Sequence, residues 1–473
     1  MKLVLDNFTL VIFGASGDLA KKKLLPALYE LVKIHDIKDN FRIIGFGRSV
    51  YNHETFRNYL GETFAQAKSG VACTDPQFKG FCEKIFYVQG DYEEASAYQR
   101  LKEEITLKAQ NKQVCSNVLF YLATPPQVSA LIIKNLNKTP GLNGKTGQCW
   151  NKVIVEKPFG TDLKSARALN HLLAQGFLEK QIYRIDHYLA KETVQNIFAF
   201  RFANTFFEQI WNSQCIDNVQ IMIAEDFGIF ERGRYYEKAG LIRDIIQNHG
   251  LQLLATIAMD APKSDREDAI RDQKLKIFKA IHRMKEKELR NSVVLGQYEG
   301  YTQEKNVASD SQVETYAAIK FLINNQRWSN VPFYICAGKN LKKNLTEIVL
   351  NFRKPKYEYF KEKNCNFEAN QLVIQIQPEE KINLKFGAKR PGEKMIIEPV
   401  KMAFDYKTSF TQKGLSAYHR LLEDAILGDQ TRYVRKDCVE ELWKIVDNIK
   451  TGLKNEKPIP YKPKTWGPKV LDF

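Results

Sequence analysis

Apolar and polar positions change their rhythm along this chain. A wholly apolar run, Phe-Thr-Leu-Val-Ile-Phe at 8–13, is followed at once by Gly14-Ala-Ser-Gly-Asp-Leu-Ala20. Behind it Leu24, Leu25, Leu28, Leu31 and Val32 fall at helical spacing, with Pro26 early enough to sit in a first turn. The pattern predicts strand, glycine turn and helix. Further short apolar runs at 41–46, 84–90, 116–123 and 152–158 alternate with helical stretches. Such alternation predicts βαβ units and a parallel sheet to about residue 180. Beyond that point runs at 219–225, 312–323, 332–338, 346–352, 371–377, 381–387 and 401–406 follow one another with few helices between them. Several alternate apolar and polar residues, as half-buried antiparallel strands do. Helices are predicted at 191–210, 239–259, 414–427 and 436–449. The expected organisation is α/β over 1–180, then α+β over 181–473 on a large antiparallel sheet.

Composition adds exclusions. With 473 residues, 44% of them apolar, the chain can close a large core and is not a disordered one. No apolar run approaches the roughly 18 residues of a spanning helix. The opening Met-Lys-Leu-Val-Leu imitates a signal peptide, but Asp6 and Asn7 break it and no small-residue cleavage site follows. A cytoplasmic location is therefore expected. Cysteines at 73, 82, 115, 149, 215, 336, 365 and 438 form no C-x-x-C pair and no cluster with His. They suggest neither a zinc site nor a disulfide framework, and are expected to be reduced, mostly buried thiols. Lys plus Arg outnumber Asp plus Glu by 71 to 55, a net charge of +16 that raises a nucleic-acid hypothesis. The excess is spread out, however, with only short knots at Lys21–Lys23 and Lys342–Lys343. A diffuse positive field attracts any anion, phosphorylated metabolites and dinucleotides included.

A glycine-rich turn between a first strand and first helix lets the backbone approach a pyrophosphate lying on the helix N-terminus. Here the spacing is Gly14-x-x-Gly17-x-x-Ala20, with Ala15, Ser16, Asp18 and Leu19 filling the turn. Glycine alone signals only a tight turn; the preceding strand, following helix and position near the chain start select the dinucleotide reading. Enzymes using NAD commonly carry an acid at the end of the second strand, whereas NADP calls for a cation there. No acid occurs from Phe41 to Tyr51, and the strand ends in Arg48. Arg48, together with Ser16 and Lys23, favours NADP; the alternative is a solvated surface cation.

The densest chemistry lies in Tyr183-Arg-Ile-Asp186-His187-Tyr188-Leu-Ala-Lys191-Glu192. His, Tyr and Lys together supply the donors and positive charge that a phosphate dianion requires. Two more clusters occupy 225–236 and 241–249, the second containing Asp244 and His249. In an α-helix residues five apart point about 140° apart, so these two need not touch but could serve one pocket from neighbouring faces. A lone His is more often a surface or satisfied core imidazole. From the residues themselves the reading stops at an NADP-dependent enzyme with a pocket suited to phosphate.

At these residues the sequence resembles the glucose-6-phosphate dehydrogenase family, over nearly the whole chain. The resemblance is carried by Gly14-Ala-Ser-Gly-Asp-Leu-Ala20, Glu156-Lys-Pro-Phe-Gly160, Arg184-Ile-Asp-His-Tyr-Leu-Ala-Lys191, Ile242-Arg-Asp-Ile-Ile-Gln-Asn-His249, Val294-Leu-Gly-Gln-Tyr298, Val331-Pro-Phe333 and Trp466-Gly-Pro468. It implies a Rossmann-like N-terminal domain and oxidation of glucose 6-phosphate at C1 with NADP. By the same resemblance His249 is the base and Asp186 the carboxylate that orients it. His187, Tyr188 and Lys191 match the phosphate binders; Glu225 and Asp244 match carboxylates that accept from sugar hydroxyls. Lys157 is expected to bridge substrate and nicotinamide beside a proline the family often holds cis. Lys339 matches a substrate-binding lysine, and Asp91 falls on a loop that contacts cofactor. A homodimer or homotetramer joined through the broad sheet is also implied.

Some positions depart from the family. Five residues after Lys339 a Lys or Arg is usual, but Asn344 stands here, with Lys342 or Lys343 as candidate substitutes. Where some members hold a second, structural NADP with basic residues, this chain has Cys336, Leu345 and Gln375, so none is expected. Gly250 replaces a usual Leu without a reason visible in the sequence. Asn344 keeps open another anionic hexose, such as a 6-sulfonate, and the charge keeps open a silent dinucleotide sensor or a nucleic-acid binder.

Overall fold

The computed structural model describes residues 7–35, 41–66, 75–106, 117–145, 149–355, 368–392, 394–411 and 414–468. They form two units: Met1–Ala190 with Arg266–Arg271 and Leu415–Glu440, and Lys191–Asp265 with Asp272–Gly414 and Glu441–Phe473.

The first unit is built on strands β1 (Phe8–Phe13), β2 (Phe41–Gly47), β3 (Ile85–Gln89), β4 (Asn117–Leu122), β5 (Asn151–Val155) and β6 (Ile182–Arg184). Their order is β3-β2-β1-β4-β5-β6, and every pairing is parallel. The expected parallel sheet is therefore present. All six residues of β1 are buried, as a central strand covered on both faces requires. The three-residue β6 is too short to show any periodicity, which is why the apolar pattern stops before it.

A late segment joins this unit. Helix Ala417–Leu427 places Leu421, Leu422, Ala425 and Ile426 in one core with Leu24, Leu28 and Tyr183. The buried Lys152 ammonium donates to the carbonyls of Ala425 (2.7 Å) and Ile426 (2.9 Å). A cation there satisfies two terminal carbonyls of that helix and complements its dipole.

The second unit carries β7 (Ile216–Ala224), β8 (Val293–Tyr298), β9 (Tyr316–Phe321), β10 (Phe333–Gly338), β11 (Leu345–Phe352), β12 (Gln371–Gln377), β13 (Lys381–Lys389), β14 (Ile397–Asp405) and β15 (Ile459–Tyr461). Their order is β14-β13-β12-β11-β7-β10-β9-β8-β15. The sheet is mostly antiparallel, with parallel pairings at β7–β10 and β8–β15. Strand β12 alternates buried and half-buried residues as its pattern predicts.

The helix predicted at 239–259 is three pieces: Gly233–Leu241, a π-helical stretch Ile242–Gly250, and Leu251–Ala258. The break is at Gly240, whose φ of +64° and ψ of 176° are non-helical. A Cβ there would lie 2.6 Å from Glu314 Oε1, so only glycine fits.

Cys82, Cys215, Cys336 and Cys438 are free thiols, Cys336 and Cys438 buried. Cys149 is disulfide-bonded, so the expectation of reduced cysteines fails there. Cys73, Cys115 and Cys365 lie outside the described residues.

Candidate active site

In the first unit the turn after β1 is shaped by two glycines. Gly14 has φ of +81°, and a Cβ on it would come 2.8 Å from the Ala123 carbonyl oxygen. Its amide donates to the Phe46 carbonyl (2.9 Å), tying the turn to β2. Gly17 donates to the Gly14 carbonyl (2.9 Å), and Lys21 to that of Gly17 (3.1 Å). Ala15 is buried beneath the turn, Gly17 and Asp18 face solvent, and Leu19 caps the π-turn Ala20–Leu24 that opens the helix. Asp18 pairs with Lys22 at 2.9 Å. Exposed backbone at a helix start is what a pyrophosphate needs.

Arg48 is exposed just past β2, its guanidinium 5.9 Å from the Tyr92 ring centre. It lines a cleft of about 810 Å³ with Tyr87, Gly90, Asp91 and Glu94, and with Asp91 and Tyr92 an adjoining one of about 500 Å³. The Ser16 and Ser49 hydroxyls lie 3.1 Å apart, and Tyr87 donates to the Ser49 carbonyl (2.9 Å), holding the β2 end against the glycine turn. These residues fit NADP: a glycine cradle that any side chain would fill, and a cation with ring support at the second-strand end.

Strand β5 is followed by Glu156-Lys157-Pro158, and the Lys157–Pro158 peptide is cis. Glu156 accepts from Tyr121 at 2.6 Å. Burial pushes its carboxyl above the usual range, against the lowering effects of Tyr121, Lys157 and Tyr418. Asp186, 1% exposed, follows β6 and accepts from the Tyr188 amide (3.1 Å). Tyr188 is buried, while the half-buried His187 ring stacks on Tyr418 at 6.4 Å. Tyr121 and Tyr418 are site neighbours that no spacing in the sequence marks.

In the second unit Lys339, 2% exposed, stands at the end of β10. Its ammonium bonds the Glu225 carboxylate at the end of β7 and Asp244 Oδ2 at 3.1 Å. Strands β7 and β10 are parallel neighbours in register, Ala224 opposite Gly338, so their ends bring Glu225 and Lys339 side by side. Three predicted residues thus form one cluster. Tyr235 donates to Asp244 Oδ1 (3.4 Å), and Arg232 lies 3.6 Å from the same oxygen. Burial, and next the Asp244 charge, raise the Tyr235 phenol, keeping it a neutral donor. Both residues fall inside the 225–236 cluster, though nothing in the sequence singles them out.

Asp244 and the buried His249 share the π-helical stretch, which Leu251 closes by donating to the Ile246 carbonyl. With about 4.4 residues per turn, five residues leave an offset of about 50° rather than about 140°. The two side chains therefore project from the same side, which the α-helical reading missed. Gly250 also gains a reason: a Cβ there would lie 3.1 Å from Ile335 Cγ2 on β10.

Lys191 begins the second unit at the N-cap of helix Glu192–Phe202. Its ammonium donates to Gln377 Oε1, and Gln377 Nε2 donates to Asn344 Oδ1 at 3.3 Å. Asn344 thus ends an amide relay that holds Lys191. Lys343 turns elsewhere, 5.8 Å from the Trp466 ring centre.

A parallel sheet with a pyrophosphate cradle at its first turn, and a second unit with a buried lysine between two carboxylates, define a dinucleotide-dependent dehydrogenase of a polar substrate. Residues 11–196 match the family model described as glucose-6-phosphate dehydrogenase, NAD binding domain, and 198–472 match its C-terminal domain. The glucose-6-phosphate 1-dehydrogenase of Chlamydia pneumoniae is 43% identical over 451 residues, covering 92% of this chain and 87% of the relative. That of Borreliella burgdorferi is 39% identical, covering 99% and 96%. A solved glucose-6-phosphate dehydrogenase in complex with its substrate glucose-6-phosphate superposes with a TM-score of 0.90 at 35% identity, covering 99% of this chain and 97% of that one. The chain belongs to the glucose-6-phosphate dehydrogenase family.

Proposed function

We propose that this protein oxidises D-glucose 6-phosphate at C1 to 6-phospho-D-glucono-1,5-lactone, the first step of the oxidative pentose phosphate route. The observation that carries this best is the Lys339–Glu225–Asp244 cluster, whose Asp244 shares the π-helical stretch Ile242–Gly250 with His249. NADP, when bound, supplies the hydride acceptor. Gly14 to Leu19 would hold its pyrophosphate on backbone amides, Arg48 would hold its 2′-phosphate, and Asp91 and Lys157 would contact it, Lys157 also bridging to the substrate.

Abstraction of the C1 hydroxyl proton requires a base, and His249 takes that role, with Asp186 as the carboxylate that favours its charged form. Burial of both groups lets small changes in charge act strongly. Glu225 and Asp244 accept from sugar hydroxyls, and Lys339 orients both carboxylates. His187, Tyr188 and Lys191 meet the phosphate. The 6-sulfonate, silent-sensor and nucleic-acid readings have no support from the relatives.

Among the described residues no helix is long and apolar enough to cross a membrane. A homodimer or homotetramer is supported by β14, an edge strand that exposes Val400 and Met402, as unpaired edges seek partners. Light scattering coupled to size exclusion reads the assembly.

The test of function is NADPH formation by absorbance with purified protein, comparing glucose 6-phosphate with free glucose and NADP with NAD. Turnover is expected only with the phosphate ester. His249→Asn is expected to lower kcat by about 10²–10⁴-fold with NADP binding retained. Unchanged turnover in that variant removes His249 as the base.

A further inference from the structure

We propose that His35, His419 and Glu423 form a metal site of the zinc class in the first unit, apart from every residue assigned to catalysis. His35 is the last residue of helix Leu25–His35; His419 and Glu423 are four apart on helix Ala417–Leu427, hence on one face. One donor atom from each of the three lies within 4.8 Å of the other two. His35 Nε2 is 2.7 Å from Glu423 Oε1, and the two imidazole centres are 6.5 Å apart.

An independent observation points to a ligand. His419 is fully buried, yet neither ring nitrogen has a hydrogen-bond partner among the described residues. A neutral imidazole carries one donor and one acceptor, and native interiors rarely leave both unmet. A metal ion on one nitrogen removes half of that deficit.

Two imidazoles and one carboxylate are a recurrent zinc set, with a fourth position for water. Tetrahedral bonds of about 2.0–2.2 Å place donors about 3.3–3.5 Å apart. The site reaches that by widening the His35–Glu423 contact by under about 1 Å and drawing His419 in. His35 and Glu423 side chains are 8% and 18% exposed, which gives the ion its way in. The consequence is a clip between the first helix of the chain and a helix from near its end.

The test uses the untagged full chain, stripped with chelator. Calorimetric titration with Zn²⁺ is expected to show one site, and the Zn²⁺-loaded protein to unfold at a higher temperature. Co²⁺ loading is expected to give the intense visible bands of a tetrahedral centre. Glu423→Gln and His35→Gln, both at partly accessible positions, should each weaken Zn²⁺ binding by more than about tenfold and leave metal-free NADPH formation unchanged. Binding that survives in the double variant H35Q/E423Q, or no stoichiometric binding by the parent chain, overturns the proposal.

Discussion

Single residues decide which cofactor and which anion the scaffold accepts. Arg48 was legible because the NAD-type acid is missing from the second strand, and the structure places the guanidinium at the mouth of a cleft beside Asp91. A charge-assisted contact to a phosphate is worth about 1.5–3 kcal/mol. Arg48→Ala is therefore expected to raise KM for NADP by about 10–100-fold while changing that for NAD by under about threefold, measured in parallel steady-state assays. Equal losses contradict a 2′-phosphate contact. Asn344 shows the limit at this scale. The sequence marks it as a lost cation, but its bond to Gln377, and through it to Lys191, joins strand β12 to a helix start nearly two hundred positions earlier. No local pattern carries a relay of that span, and Lys343, an expected substitute, is turned toward Trp466.

Elements set the angles at which those residues act. Every run expected as a strand in the first unit is one, because continuous apolar stretches between glycine and proline signals have few other outcomes. The π-helical winding of Ile242–Gly250 was not legible, since side-chain spacing reports amphipathicity and not whether amides bond four or five residues back. That difference puts Asp244 and His249 on the same side, and Gly250 against Ile335 is the close approach that accompanies it. The glycine turn is the opposite case, where residue type and backbone agree. At φ of +81°, with 2.8 Å between its virtual Cβ and the Ala123 oxygen, Gly14 has no substitute without movement of β4's end. Gly14→Ala is expected to cost about 1–3 kcal/mol in chemical denaturation and to weaken NADP binding more than glucose 6-phosphate binding. A variant as stable as the parent with unchanged NADP affinity shows that the turn is not held in this form.

At the scale of the whole molecule, the family match at 11–196 looks like a separable cofactor-binding piece, and the structure says otherwise. Residues 415–440 belong to the first unit although they follow almost all of the second in sequence. Neither periodicity nor composition encodes such a return. Its contribution is large: burying a Leu, Ile or Tyr side chain is worth about 2 kcal/mol, so Leu421, Leu422, Ile426 and Tyr433 supply about 8 kcal/mol. A domain's entire net stability is about 5–15 kcal/mol. Polar groups depend on the same segment. Lys152 donates to the main-chain carbonyls of Ala425 and Ile426, and Arg184, 1% exposed, is held by Glu179, Asn170 and the Val434 carbonyl. Without 415–440 a buried ammonium loses two acceptors and part of an apolar core faces water. A fragment of residues 1–196 is therefore expected to show no cooperative thermal transition and no measurable NADP binding. The same fragment with 415–440 joined through a flexible linker is expected to regain both. Calorimetry and fluorescence titration read the two outcomes, and a stable NADP-binding 1–196 fragment would mean that the returning helix only covers a unit already complete.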